Sequence, residues 1–256
     1  MSRIKDAFAK KKTFIGFLTA GDPSVEKSLA YILAMEEAGA DIIEIGIPFS
    51  DPIAEGPVIQ DANLRALNAG FTLPDAFKLV SEVRKVSQVP LLFLTYANPV
   101  FNYGYEAFCA KCEEVGLDGL IVPDMPYEEN SELKGIAGSH GVDLITLIAP
   151  TSMKRIPTIA KDTDGYIYLV SSMGVTGMRN NNNFSTDLSA LIGEIKKVTN
   201  TPVAIGFGIH TREQVQEYQA LADGVIVGSG IVKIIEEHGE NAKEPIEKFV
   251  RELTGN

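Results

Sequence analysis

Eight short runs rich in Ile, Leu and Val recur along this chain. Each is followed by a longer stretch of helical pattern, and this alternation narrows the folds open to it. The runs are Thr13–Thr19, Ile42–Ile47, Leu91–Tyr96, Gly119–Val122, Leu144–Ile148, Gly165–Val170, Val203–Gly206 and Gly224–Val227. Between them, segments such as Ser24–Ala38, Leu73–Val86, Tyr105–Val115, Asp187–Val198 and Thr211–Gln219 read as helices. Glycines at 39, 116 and 141 stand where such helices would end, since Gly frees the left-handed position after the last turn. Pro90 and Pro202 stand just before strands, where a missing N–H costs nothing. The length of 256 residues fits two small domains or one large barrel, so the alternation has to decide. Eight strand–helix units predict an α/β protein built as a (β/α)8 TIM barrel. An open doubly wound sheet would usually carry G-x-G-x-x-G after its first strand, and Gly16 to Gly21 offers none. No linker rich in Gly, Ser or Pro divides the chain, so residues 1–256 are expected to form a single domain. Ile4, Ala7 and Phe8, at helical spacing, predict an extra N-terminal helix covering the barrel floor.

Composition excludes several partners. The 23 basic and 34 acidic side chains leave a formal charge of −11, which argues against nucleic acid. The run Lys10–Lys12 reads as a solvated helix end. Nowhere does the chain hold the ~20 consecutive apolar residues of a membrane span. The N-terminal segment lacks the apolar stretch of a signal peptide. Cys109 and Cys112 form a C-x-x-C on paper, but they lie in a helical pattern with no second pair to complete a zinc site. A buried helix face accounts for Cys109, and the lack of a disulfide framework suits a reducing, cytoplasmic setting.

A barrel places its chemistry on the loops after the strands. The second such loop, Pro48–Pro57, and the third, Ala97–Tyr105, read as long. The sixth, Ser171–Phe184, holds Gly174, Gly177 and four consecutive asparagines, and reads as a lid. Strand two reads Asp41-Ile-Ile-Glu-Ile-Gly-Ile47. Alternation puts Ile43, Ile45 and Ile47 under the helices, and Ile42, Glu44 and Gly46 inside the barrel. No strand carries a Lys or Arg to pair with an inward Glu44, so a working carboxyl is expected, its pKa raised towards neutrality. Gly46 beside it is expected to leave room for a ligand. Glu55, in the following loop, is the second candidate acid.

Strand seven ends Ala204-Ile-Gly-Phe-Gly-Ile209, and strand eight ends Val227-Gly-Ser-Gly-Ile231 and runs into a helix. Glycines let backbone N–H groups approach a ligand, and a helix start offers unpaired donors. Gly206, Gly208, Gly228 and Ser229 are therefore candidates for holding a phosphate, with Gly177 closing over it. The strands hold no Lys for a Schiff base. The three histidines, His140, His210 and His238, are not clustered for a metal, so none is expected. Carbon–carbon cleavage would then need a substrate that holds the electrons itself. An indole ring does so, because it can be protonated at carbon and then expelled.

At this point a resemblance emerges. The run from Glu44 to Pro57 resembles the signature of the tryptophan synthase alpha subunit. Thr19-Ala-Gly-Asp-Pro23, Tyr96-Ala-Asn98, Gly174-Val-Thr-Gly177, Gly206-Phe-Gly208 and Gly228-Ser229 match in order along the chain. The resemblance implies a lyase of L-tryptophan biosynthesis that splits indole-3-glycerol phosphate into indole and glyceraldehyde 3-phosphate. It implies that Glu44 is the general acid and base, and that Glu55 steadies charge at the indole N–H. It implies an apolar pocket of Phe17, Ile59, Leu94, Ile121, Ile148, Tyr168 and Phe207, with Thr176 of the lid bonding Glu44 or its neighbours. It implies a beta-subunit partner in an alpha2-beta2 assembly, with pyridoxal phosphate in that partner and no cofactor in this chain. The loop Asn98–Tyr105, apolar and aromatic, suits an interface. The family usually has aspartate where this chain has Glu55, so the second carboxylate stands one methylene further out. Two alternatives stay open: a weakly active subunit that mainly regulates its partner, and another phosphate-binding barrel isomerase.

Overall fold

The computed structural model describes residues 2–170, 184–206 and 208–256. Helix α1 (Arg3–Lys10) precedes β1 (Thr13–Thr19), α2 (Val25–Glu37) and β2 (Ile42–Gly46). Two helices, α3 (Pro57–Asn68) and α4 (Leu73–Arg84), lead to β3 (Leu91–Leu94). Two more, α5 (Ala97–Tyr103) and α6 (Tyr105–Val115), lead to β4 (Gly119–Ile121). Then follow α7 (Ser131–Ser139), β5 (Asp143–Ile148), α8 (Ile156–Ile159), β6 (Ile167–Val170) and α9 (Phe184–Lys196). The chain ends with β7 (Val203–Gly206), α10 (Arg212–Leu221), β8 (Gly224–Val227), α11 (Ser229–His238) and α12 (Lys243–Thr254). The eight strands close into a parallel barrel in sequence order, with β8 pairing back onto β1.

Alternation along each strand divides the apolar side chains into two cores. Ile15, Ile42, Leu92, Ile121, Ile145, Tyr166, Tyr168, Ala204 and Ile226 pack together inside the barrel. Ile43, Ile45, Ile47, Leu91 and Phe93 belong to the larger core between barrel and helices. Ile4 and Ala7 of α1, with Phe8 beside them, pack against the inner cluster. They seal the end where the strands begin, as the helical spacing of those three residues predicts. Helix α6 turns Cys109 and Cys112 fully into the outer core, where burial raises both thiols. Among the described residues no helix is long and apolar enough to cross a membrane.

One expected loop is not a loop. Ala97–Tyr103 is helix α5, ended by Gly104 at φ 89°. Asn98, Pro99 and Asn102 favour a loop reading, yet Pro99 lies in the first turn, where the missing N–H has no helical partner to lose. Phe101 and Tyr103 remain exposed on it, and Val100 is buried.

Candidate active site

Strand β2 is buried along its whole length. Its register sets Glu44 opposite Phe17 on β1 and Leu92 on β3, whose side chains face the barrel interior. Glu44 is 1% exposed. Its Oε1 accepts a hydrogen bond of 2.5 Å from the Tyr166 hydroxyl. Its Oε2 has no hydrogen-bond partner among the described residues. Burial pushes the carboxyl up to about 8, against the smaller opposing pull of Tyr166. Tyr166, fully buried, has its own ionisation pushed upward by burial and by Glu44, so it stays a donor. Phe8 of the floor helix lies against the Tyr166 ring, with centroids 5.5 Å apart.

Glu55 immediately precedes α3, which starts with Gly56 as N-cap and Pro57 in its first turn, where proline is preorganised for a helix. Apolar spacing turns Ile59, Ala62, Asn63 and Ala66 inward. Asn63 Nδ2 donates to Glu55 Oε2 at 2.6 Å, and the Tyr96 hydroxyl nearby also pulls the pKa of this carboxyl down. Glu55 is 7% exposed, and burial raises it to about 7 despite the opposing pull of Asn63 and Tyr96. Tyr96 is held in turn by stacking on Phe49, with centroids 5.0 Å apart, and by the Ala54 N–H.

Both acids line one pocket of about 60 Å³, together with Phe17, Ile59, Leu94, Tyr168, Gly208, Gly228 and Ser229. A larger hollow of about 180 Å³ lies on the far side of Pro123 and Leu147 and holds no carboxylate, so the acids mark the smaller pocket as the site. At the glycine-rich end, Gly228 is the N-cap of α11 and has no side chain to satisfy its first donors. Gly208 adopts φ 77°, a left-handed conformation natural to glycine. A β-carbon at Gly206 would stand 2.5 Å from the Tyr168 hydroxyl, and one at Gly228 3.2 Å from Phe17. Two buried acids, apolar walls and a mouth of unshielded N–H groups can move protons on a ring whose substituent ends in an anion.

The sequence profile described as "Tryptophan synthase alpha chain" matches residues 4–255. The chain belongs to the tryptophan synthase alpha chain family. A tryptophan synthase alpha chain from Lacticaseibacillus casei is 49% identical over 99% of this chain and 94% of its own length. One from Alkaliphilus metalliredigens is 46% identical over 95% and 91%. A chain from the tryptophan synthase complex of Pyrococcus furiosus superposes with a TM-score of 0.87 at 38% identity, covering 96% of this chain and 99% of that one. Membership in the tryptophan synthase alpha chain family makes this chain a carbon–carbon lyase of tryptophan biosynthesis, acting on indole-3-glycerol phosphate.

Of the positions singled out from sequence, Glu44, Glu55, Phe17, Ile59, Leu94, Tyr168, Gly208, Gly228 and Ser229 come together in the pocket. Gly206 sits beside it under Tyr168. Ile121 lies deeper, in the inner core. Ile148 is misplaced by the sequence reading: it faces the outer core, and its neighbour Leu147 lines the pocket instead. The room expected beside Gly46 is taken by the Phe17 ring, which a β-carbon there would meet at 2.7 Å. Thr176, Gly177, Phe207 and nearly all of the expected lid, 171–183, lie outside the described residues. Sequence reasoning missed Tyr166 and Asn63, the direct partners of the two acids. A signal for Asn63 was present, since it falls on the apolar face of α3 where a polar residue needs a partner.

Proposed function

We propose that Glu44 and Glu55 divide the cleavage of indole-3-glycerol phosphate between them. Glu44 is the general acid and then the general base. With Tyr166 donating to Oε1, the proton of its neutral form resides on Oε2, the oxygen without a partner among the described residues. That proton goes to the indole carbon bearing the glycerol chain. The carboxylate then takes the proton of the adjacent hydroxyl, the carbon–carbon bond breaks, and its electron pair returns to the ring. Indole and glyceraldehyde 3-phosphate leave, and Glu44 is neutral again. Glu55, ionised, attracts the indole N–H as positive charge develops there, an interaction stronger in the transition state than before it. The phosphate is held by backbone N–H groups of Gly208, Gly228 and Ser229, with Gly206 keeping the approach clear.

A buried acid facing the pocket, with no cation among the described residues to hold it ionised, is the observation that carries this reading. The cleavage needs no cofactor in this chain. The partner is the beta subunit, carrying pyridoxal phosphate, in an alpha2-beta2 assembly. A similar Pyrococcus furiosus chain, 39% identical with a TM-score of 0.86, comes from such a complex, described as mutually activating. Phe101 and Tyr103 on α5 and Ile53 in the loop before α3 offer that partner exposed apolar surface. We place the enzyme in the cytoplasm, in keeping with free, buried cysteines. The reading is tested by indole release from indole-3-glycerol phosphate, with and without added beta subunit. Indole should form in both cases and faster in the second. Absence of indole in both would leave the isomerase or purely regulatory alternatives.

A further inference from the structure

Behind Glu55, one guanidinium joins three parts of the catalytic face. Arg65 lies on α3, two residues past Asn63 and six past Ile59. Its Nε donates to Asp22 Oδ1 at 3.0 Å and its Nη2 to Asp22 Oδ2 at 2.8 Å, a fork-on-fork pair with directional demands that a lysine cannot meet. Asp22 is 2% exposed and stands in the loop after β1. That loop is itself fixed, because Gly21 donates its N–H to Ser28 Oγ at 2.9 Å. The remaining Nη1 reaches Glu236 on α11 at 3.5 Å, the helix whose first residue is Ser229. Among the described residues the other end of α3 has no ion pair, only the Gln60 Nε2 bond to the Glu55 carbonyl at 2.7 Å. Its N-cap is a glycine without a side-chain bond, and the loop before it exposes Ile53 by 75%.

We propose that Arg65 is a positioning residue for Glu55. Its bidentate bond to Asp22 fixes where α3 lies along the barrel rim. Asn63, on the same rigid helix, transmits that placement to the Glu55 carboxylate through their 2.6 Å bond. Glu236, at the longer distance and more exposed, contributes less. The inference rests on the role given to Glu55 above, and the two can fail separately.

The test is a double-mutant cycle on the full-length chain, reading kcat and KM for indole-3-glycerol phosphate, with a urea midpoint for every variant. Arg65→Met should lower kcat roughly tenfold and change KM by less than about threefold. Arg65→Lys should recover part of the loss by keeping the charge without the fork. In a Glu55→Gln background, Arg65→Met should cost less than a further twofold, because the group it positions is already lost. An equal tenfold cost in both backgrounds would overturn the proposal and leave Arg65 a stabilising residue only. So would an unchanged kcat in Arg65→Met. If Arg65→Met does not fold, Arg65→Lys and its double variant carry the same comparison. Glu55→Gln with full turnover would instead sink the role of Glu55 itself, an outcome visible without any Arg65 variant.

Discussion

Three partly buried aspartates at the floor of this barrel are held by cations, whereas the two acids of the pocket are buried among neutral donors. At the floor, Asp118 accepts the Leu91 N–H at 2.8 Å and faces both Arg3 and Arg84 at 2.7 Å. Asp41 accepts the Phe14 N–H beside Lys11, and Asp223 accepts the Val203 N–H beside Lys196. Each of these aspartates precedes a strand, ties down the start of a neighbouring one, and has a cation. Within the barrel and at its mouth, Glu44 has one tyrosine, and Glu55 has an asparagine and a tyrosine. Carboxyls paired with cations serve stability, whereas carboxyls buried with neutral donors are raised to titrate around neutral pH, Glu44 at about 8 and Glu55 at about 7. The floor acids serve cohesion and the pocket acids serve chemistry, while at the catalytic face the Asp22–Arg65 pair supplies cohesion beside the chemistry.

The sharpest way to break that contrast is to neutralise one acid at each end. Glu44→Gln keeps shape and removes proton transfer, so kcat for indole release should fall by about 10³-fold or more. Binding of glycerol 3-phosphate, followed by calorimetry, should stay within about threefold. If Glu44→Gln retains a tenth of the wild-type turnover, the proton-transfer assignment is wrong. At the floor the readout inverts. Asp118→Ala leaves Arg84 and Arg3 facing each other without their acid, and urea denaturation should show a loss of about 3–5 kcal/mol. The kcat of the folded fraction should change less than twofold. A large kcat loss there would mean that the floor is not separate from the chemistry.

The pH dependence of stability sharpens the same point. Glu44 has a folded pKa of about 8 against an ordinary 4.5. Between those values the native state holds a proton that the unfolded chain releases, so stability falls as pH rises, and the full cost is present above 8. Below about 4.5 both states are protonated and nothing is lost. Each pH unit inside that window costs at most about 1.4 kcal/mol per group. Urea midpoints at pH 5, 6.5 and 8 should therefore show Glu44→Gln gaining on the wild type as pH rises. A gap between them that stays constant across the window would contradict a neutral Glu44 in the native barrel.

Which of these features the sequence reveals depends on how locally each is encoded. The strands are legible because β-branched runs bounded by Gly and Pro recur eight times. Glu44 is legible because one charge in an apolar strand fixes which face points inward. Strand β5 lacks that marker. Leu144, Ile145, Leu147 and Ile148 are apolar on both faces, and the inward residue proves to be Leu147. Tyr166 is 122 positions from Glu44 and 43 separate Arg65 from Asp22, so no local pattern announces either pair. Barrel closure brings the first pair together, and the pairing of β1 with β2 the second.

Position 55 carries the smallest of the expected effects. An aspartate there would keep the charge and shorten its reach by one methylene. In a pocket shaped for aspartate the change should raise turnover, but here the carboxylate is already engaged. Asn63 holds Oε2 at 2.6 Å, and the Tyr96 hydroxyl, its ring stacked on Phe49, also acts on the carboxyl from close by. Both partners sit on fixed elements, Asn63 on the inward face of α3 and Tyr96 1% exposed just beyond β3. Neither can follow a retreat of ~1.5 Å without giving up packing. Glu55→Asp should therefore lower kcat/KM for indole-3-glycerol phosphate about tenfold, the scale of a misplaced but still charged group. A gain in kcat/KM would show that Asn63 and Tyr96 restrain the acid rather than aim it, and that the longer side chain is a handicap the loop has not absorbed.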